Sequence, residues 1–248
     1  PGSTIVVRAD ATVSIAITSG GPEVCTSNSN VILTATVVGG SGSLIRTWQS
    51  SPTGQNVWTD IPGQNGTIYI VNTSSPSHLD YRVALTDPLP DCSDPISNVI
   101  NVLVNADAAV SVSPAATPVR LGGNAPLTAT VTGGSSQIQL QWQQSPTGVA
   151  GSWSNISGQT STLFNAPTTT TGTIFYRAMF NDPLPGCGSG NSSNVTVTVS
   201  PDISSTTEPT GLTECGGGTA TMGVAVTGGS GAISYQWQVS PDGTGSWD

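Results

Sequence analysis

"RTWQSSPTGQNVWTDI", residues 46–61, reads as a strand, a tight turn and a second strand, and the chain repeats it at 141–156 as "QWQQSPTGVAGSWSNI". A third copy opens at 236 with "QWQVSPDGTGSWD". The first Trp of each phrase stands at 48, 142 and 237, the second at 58, 153 and 247, so that both recur every 94 or 95 residues. A fixed period of that length means tandem copies of one domain.

Other marks keep the same beat. "LTATVVGG" (33–40) returns as "LTATVTGG" (127–134) and "MGVAVTGG" (222–229), and "YRVALTDPLPDC" (81–92) returns as "YRAMFNDPLPGC" (176–187). The junctions repeat as well, "VRADATVSI" (7–15) matching "VNADAAVSV" (104–112). These matches divide the chain into residues 1–8 as the last strand of a preceding repeat, 9–105 as repeat one, 106–200 as repeat two and 201–248 as a truncated repeat three. On this reading any export signal or anchor lies outside the sequence.

Apolar residues come in short alternating runs such as "VILTATVV" and "NVTVTVS", separated by Gly, Ser, Thr, Asn and Pro, which is the pattern of strands joined by turns. Each copy reads as a seven-strand sandwich; in the first, the strands fall near 11–18, 31–38, 44–50, 56–61, 67–72, 80–87 and 97–104. The expected fold class is all-β, tandem immunoglobulin-like β-sandwich domains in an extended array. In such a domain Trp48 packs between Ala35 and Val83, with Trp142 and Trp237 as its counterparts, and apolar packing replaces the usual core disulfide. Tyr81 and Tyr176 stand two residues before the core positions Val83 and Ala178, where a tyrosine corner is expected. Trp58 and Trp153, near an edge strand, either pack on the neighbouring strand or offer their faces as a platform for sugar rings.

Charge is sparse. The net charge of -9 combines 14 acidic residues with five arginines and no lysine, which excludes the clustered cations that nucleic acid or an anionic membrane would require. No apolar run approaches the roughly 20 residues of a membrane span, so no membrane insertion is expected in this segment. The missing lysine also excludes lysine-to-asparagine isopeptide crosslinks.

Cys25, Cys92, Cys187 and Cys215 lack zinc spacing and form no CxxC motif, and they fit structural disulfides in an oxidising, exported setting. The simpler pairing joins Cys25 to Cys92 within repeat one. A second pairing follows from topology: the loop between the first two strands, with Cys25, and the loop between the last two, with Cys92 or Cys187, lie at opposite ends of a sandwich, where consecutive domains meet, so Cys25 would reach Cys187. Repeat two has Val119 where repeat one has Cys25.

Catalysis has little to work with. His78 is the one imidazole, reads as a loop residue, and has no counterpart in repeat two. Asp87, Asp91 and Asp94 in "DPLPDCSDP" have the oxygen-rich character of a calcium loop, but repeat two keeps only Asp182, so a proline-held turn is the simpler reading. Sequons at Asn65, Asn72, Asn155, Asn191 and Asn194 are about as many as this composition yields by chance. No enzyme, cofactor or metal is expected.

With "LTATVTGG", "YQWQVSPDG" followed by a Trp, "FYRAMF" and the loop "GC", the chain resembles the tandem immunoglobulin-like and PKD-like repeats of giant secreted surface proteins of Bacteroidetes, of the SprB-type gliding adhesin kind. The likeness covers nearly the whole chain. It implies type IX secretion, an extracellular cell-surface location and a structural or adhesive filament or stalk whose partners are neighbouring repeats, other copies in a fibre through edge strands, and surface polysaccharide. The alternative of a different class is a carbohydrate-binding accessory segment of a secreted glycoside hydrolase, using Trp58 and Trp153.

Overall fold

The computed structural model describes residues 6–27, 31–241, 243 and 244. Trp247 and the first five residues of the expected preceding strand lie outside the described residues. Val6 and Val7, which are described, are exposed and in no strand.

Repeat one contains β1 (Thr12–Ser19), β2 (Glu23–Cys25), β3 (Ile32–Val38), β4 (Ile45–Pro52), β5 (Thr59–Asp60), β6 (Ile68–Ile70), β7 (Ser77–Thr86) and β8 (Ile100–Asn105). They form two sheets, β1-β3-β6 and β2-β8-β7-β4-β5. Seven of the eight strands fall where alternation places them. The eighth, β2, carries three residues and pairs in parallel with β8.

The core follows from the period-two pattern, because alternate residues of a strand face opposite sides of its sheet. Leu33 and Ala35 of β3, Tyr81, Val83 and Leu85 of β7, and Val102 and Val104 of β8 are buried together around Trp48. Trp48 stands opposite Val83 in the β4–β7 register and is fully buried. Its indole Nε1–H donates to the Gly66 carbonyl at 3.0 Å, so the one polar atom of the ring is satisfied. Tyr69 lies 5.5 Å from Trp48 and again 5.5 Å from Tyr81, forming a chain of three tilted rings.

Repeat two contains β9 (Ala109–Ser113), β10 (Ala116–Arg120), β11 (Pro126–Thr132), β12 (Gln139–Ser145), β13 (Ser154–Asn155), β14 (Leu163–Asn165), β15 (Gly172–Asn181), β16 (Ser189–Asn191) and β17 (Val195–Ser200). The sheets have the same plan, β9-β11-β14 and β10-β17-β15-β12-β13, with β16 paired to the end of β15. Trp142 is fully buried and donates from Nε1–H to the Ser161 carbonyl at 2.8 Å; Phe164 at 5.1 Å and Tyr176 beyond it repeat the ring chain. The fold is all-β, built of tandem immunoglobulin-like sandwiches.

The "GG" that closes β3 and β11 has a specific cause. Gly39 and Gly133 adopt φ of 82° and 67°, in the left-handed region that glycine enters without penalty. A Cβ on either would run into the carbonyl of Asp10 or Asp107. The next residue, Gly40 or Gly134, donates its amide to Ala9 or Ala106 at 2.9 or 2.8 Å. The motif thus fastens the "ADA" linker that enters each repeat to the end of a strand of that same repeat.

Residues 201–248 form only one strand pair among the described residues, β18 (Ser204–Thr207) with β19 (Ala225–Thr227). Trp237 is 52% exposed here, not core as its place in the repeat predicts.

By contact density the chain divides into two compact units, one of residues 1–111, 130–140 and 179–192, the other of 112–129, 141–178 and 193–248. The first unit therefore holds all of repeat one together with the "TGG" turn and the "DPLPGC" loop of repeat two.

Candidate functional site

What ties those two loops into the first unit starts at β2. In its register with β8, Cys25 stands opposite Asn105, the last residue before the linker, and the Thr26 amide donates to the Asn105 carbonyl at 3.0 Å. Ser27 then grips the linker itself: its amide and hydroxyl donate to the Asp107 carboxylate at 3.1 and 2.6 Å. The Ser27 and Thr26 side chains hold the Asp107 carboxyl below its ordinary range.

Cys25 is bonded to Cys187, with Cα atoms 4.8 Å apart. This is the pairing that the loop topology suggested, and it replaces the within-repeat Cys25–Cys92 bridge. Cys92 lies in the same repeat as Cys25 but at the other end of β7, as expected for loops at opposite ends of a sandwich, and its thiol is free. The Cys25 amide also donates to the Pro185 carbonyl at 3.2 Å. Both cysteines of the bridge are buried.

Asp182 shapes the loop that carries Cys187. Its carboxylate accepts from the Ser135 amide at 2.6 Å, the Ser135 hydroxyl at 2.7 Å and the Leu184 amide at 3.2 Å. Burial works to raise its carboxyl, and these hydrogen bonds outweigh it, so the group lies below its ordinary range. The Asp182 carboxylate and the two sulfurs lie within 4.8 Å of one another, a spacing that would suit a metal ion if the cysteines were thiolates. As a disulfide they have no such capacity.

The corresponding loop of repeat one has the same construction. Asp87 accepts from the Ser41 amide at 2.9 Å and the Leu89 amide at 3.1 Å, and its own amide donates to Asp94 at 2.8 Å. Asp91 takes the positive φ (65°) that Gly186 takes in repeat two (79°). The aspartates that resemble a calcium loop thus include two, Asp87 and Asp94, whose carboxylates fold the turn. The hydroxyl of Ser41 foremost, against burial and with further help from the Leu89 and Ser41 amides and the Cys92 thiol, holds Asp87 below its ordinary range.

Strand register corrects one alignment. Arg120 pairs with Ser200 as Cys25 pairs with Asn105, so Arg120, not Val119, occupies the cysteine position in repeat two. Arg120 is exposed, and Cys215, the cysteine of repeat three, is exposed and free.

The second Trp of each repeated phrase has a defined place. The Arg82 guanidinium lies 4.1 Å above the Trp58 ring and donates from Nε to Gln49 at 2.7 Å, while Gln49 donates to Asp60 at 2.7 Å. In repeat two Arg177 lies 4.2 Å above Trp153, donates to Gln143 at 2.7 Å, and Gln143 donates to Asn155 at 2.8 Å. A guanidinium therefore covers one face of each half-buried indole, and this partial burial lowers the arginine pKa. Such a contact contributes about 0.5–1 kcal/mol at an exposed site. The signal for it in the sequence was the joint recurrence of Gln49, Trp58 and Arg82 with the period. His78 belongs to β7, not to a loop, and its Nε2 lies 3.0 Å from the Asn101 side-chain oxygen.

A family model described as Domain of unknown function (DUF8696) matches residues 14–106 and again 109–201. No curated protein matches. The fold is similar to that in the crystal structure of Dscam1 isoform 7.44, N-terminal four Ig domains, at 12% identity and a TM-score of 0.44, covering 79% of this chain and 47% of that one. Dscam1 isoform 8.4 gives 13%, 0.44, 79% and 48%. The chain spans about half the length of these structures.

Proposed function

The chain belongs to the DUF8696 family, and we propose that its two copies of that domain serve as a structural and adhesive repeat segment of an exported protein, bearing load from one repeat to the next. The observation that carries this reading is the Cys25–Cys187 bridge, which joins consecutive repeats instead of stapling one of them. A buried disulfide persists in an oxidising compartment, which supports an extracellular location. The nearest partners of each repeat are then its neighbours in the same chain. The resemblance to secreted surface repeats of Bacteroidetes supports the finer reading of a cell-surface filament or stalk exported by a type IX route. This reading assigns no catalysis to the segment.

Pulling the chain by its ends in a force instrument tests the load-bearing role. With the bridge closed, the residues between Cys25 and Cys187 are withheld from extension, and their sequence separation is 162. At about 3.4 Å per residue the oxidised chain stops roughly 550 Å short of the reduced chain. Each of the two sandwiches gives its own rupture peak once the reductant is present. A chain that lengthens smoothly, with no rupture peaks in either state, overturns the proposal.

A further inference from the structure

Repeat one carries a copy of the surface that repeat two uses to bond to Cys25, and among the described residues that surface is more exposed in repeat one. Cys187, Leu184, Asp182 and the Pro185 carbonyl of repeat two correspond to Cys92, Leu89, Asp87 and the Pro90 carbonyl of repeat one. The turn geometry agrees: the Cys92 amide donates to the Leu89 carbonyl at 3.4 Å, as the Cys187 amide donates to Leu184 at 3.1 Å. Exposure differs. Cys187 is 6% exposed and Leu184 partly covered, whereas Leu89 is 47% exposed and Cys92 only half-buried. The linker aspartate has its counterpart too, Asp10 standing in "RADAT" where Asp107 stands in "NADAA".

We infer that Cys92 is the disulfide site for another domain of this family, one whose short second strand ends in a cysteine followed by hydroxyl residues, as Cys25-Thr26-Ser27 does. The partner cysteine bonds Cys92, the amide of that cysteine donates to the Pro90 carbonyl, and the hydroxyl residue donates to Asp10. Leu89 is covered in the same contact. This rests on the load-bearing reading and extends it, since it makes the head of repeat one a joint of the same design as the one between repeats one and two.

Two thiols give one S–S bond by losing two electrons and two protons. A protein disulfide of the thiol–disulfide oxidoreductase class accepts them and departs as the dithiol, with Cys92 or its partner attacking through a mixed disulfide. Cys92 forms less thiolate than an ordinary cysteine and so attacks more slowly in either step, because burial and then the carboxylates of Asp87, Asp10 and Asp91 push its thiol up.

The experiment is a disulfide map of the full-length protein as secreted, with thiols blocked during harvest and digestion carried out without reductant. The Cys92 peptide is expected only in linked form, joined to a peptide from another repeat in which the cysteine stands at the Cys25 position, before a hydroxyl residue. Recovery of Cys92 blocked as a free thiol, capped by glutathione, or joined to a cysteine at any other repeat position overturns the inference. The Cys25–Cys187 peptide pair in the same digest is the internal standard. If that pair is present while Cys92 is free, the inference falls and the load-bearing reading stands.

Discussion

Replacing Trp142 by Ala removes an indole that is fully buried, hydrogen-bonded through Nε1–H to Ser161 at 2.8 Å and stacked 5.1 Å from Phe164. Loss of a buried Trp with the cavity it leaves costs about 3–5 kcal/mol. A domain of this size has roughly 5–15 kcal/mol in all, so the second repeat becomes marginal. Trp142→Phe keeps most of the apolar volume but leaves the Ser161 carbonyl without its donor, a loss of about 1–2 kcal/mol. Trp237→Ala removes the same residue of the same repeated phrase at a position that is 52% exposed in this chain, and should change stability by no more than about 0.5 kcal/mol. Urea unfolding followed by far-ultraviolet circular dichroism reads all three variants, with the disulfide intact and the transition of each repeat fitted separately. Equal losses for Trp142→Ala and Trp237→Ala, or a loss under about 1 kcal/mol for the former, would refute the argument that burial at the centre of a closed sandwich sets the role of this residue.

Changing Cys25 and Cys187 together to Ser opens a loop that, because Cys25 is held in register beside Asn105, amounts to about 80 residues of repeat two; calorimetry should show that repeat losing about 4.5 kcal/mol by the chain-entropy relation, more than repeat one loses. Asp87, Asp107 and Asp182 have carboxyls lowered in the folded state, so their stabilisation is fully present above the unfolded pKa of about 3.9 and is lost as pH falls through the lower folded values. The melting temperature should therefore hold level above about pH 5 and decline below about pH 4, and less steeply in Asp182→Asn, as a pH series of melts would reveal. Gly133→Ala forces a Cβ against the Asp107 carbonyl at a φ of 67° and should cost about 1–2 kcal/mol or more in the same urea assay, because the linker must shift.

Much of the fold was legible because its signals repeat. Alternation in "LTATV" and "YRVAL" located β3 and β7, and an interval shared by Trp48 and Trp142 showed that both copies have one core. What escaped was whatever depends on contacts between separated segments. Strand β2 is three residues long and follows "GGP"; only Val24 in it is a clear apolar signal, and its parallel pairing with β8 sets the register that identifies Arg120 as the counterpart of Cys25. Two pairings of Cys25 were compatible with the order of residues, and the choice rested on which end of a sandwich each loop occupies. The guanidinium over Trp58 and Trp153 was unforeseen although all its participants recur, because exposed polar residues in step with a period look like turn chemistry until the sheet brings Gln49, Arg82 and Trp58 side by side.

The offset of the bridge also bears on survival outside a cell. Exposed turns at Gly63, Gly122 and Gly151 are the sort of place where secreted proteases make their first incision. Each lies between Cys25 and Cys187, so one such cut leaves both fragments covalently attached through sulfur. A Cys25–Cys92 bridge would have protected only residues of repeat one from severance; spanning the boundary, the bridge makes a single scission anywhere between Cys25 and Cys187, in either repeat, a wound and not an amputation.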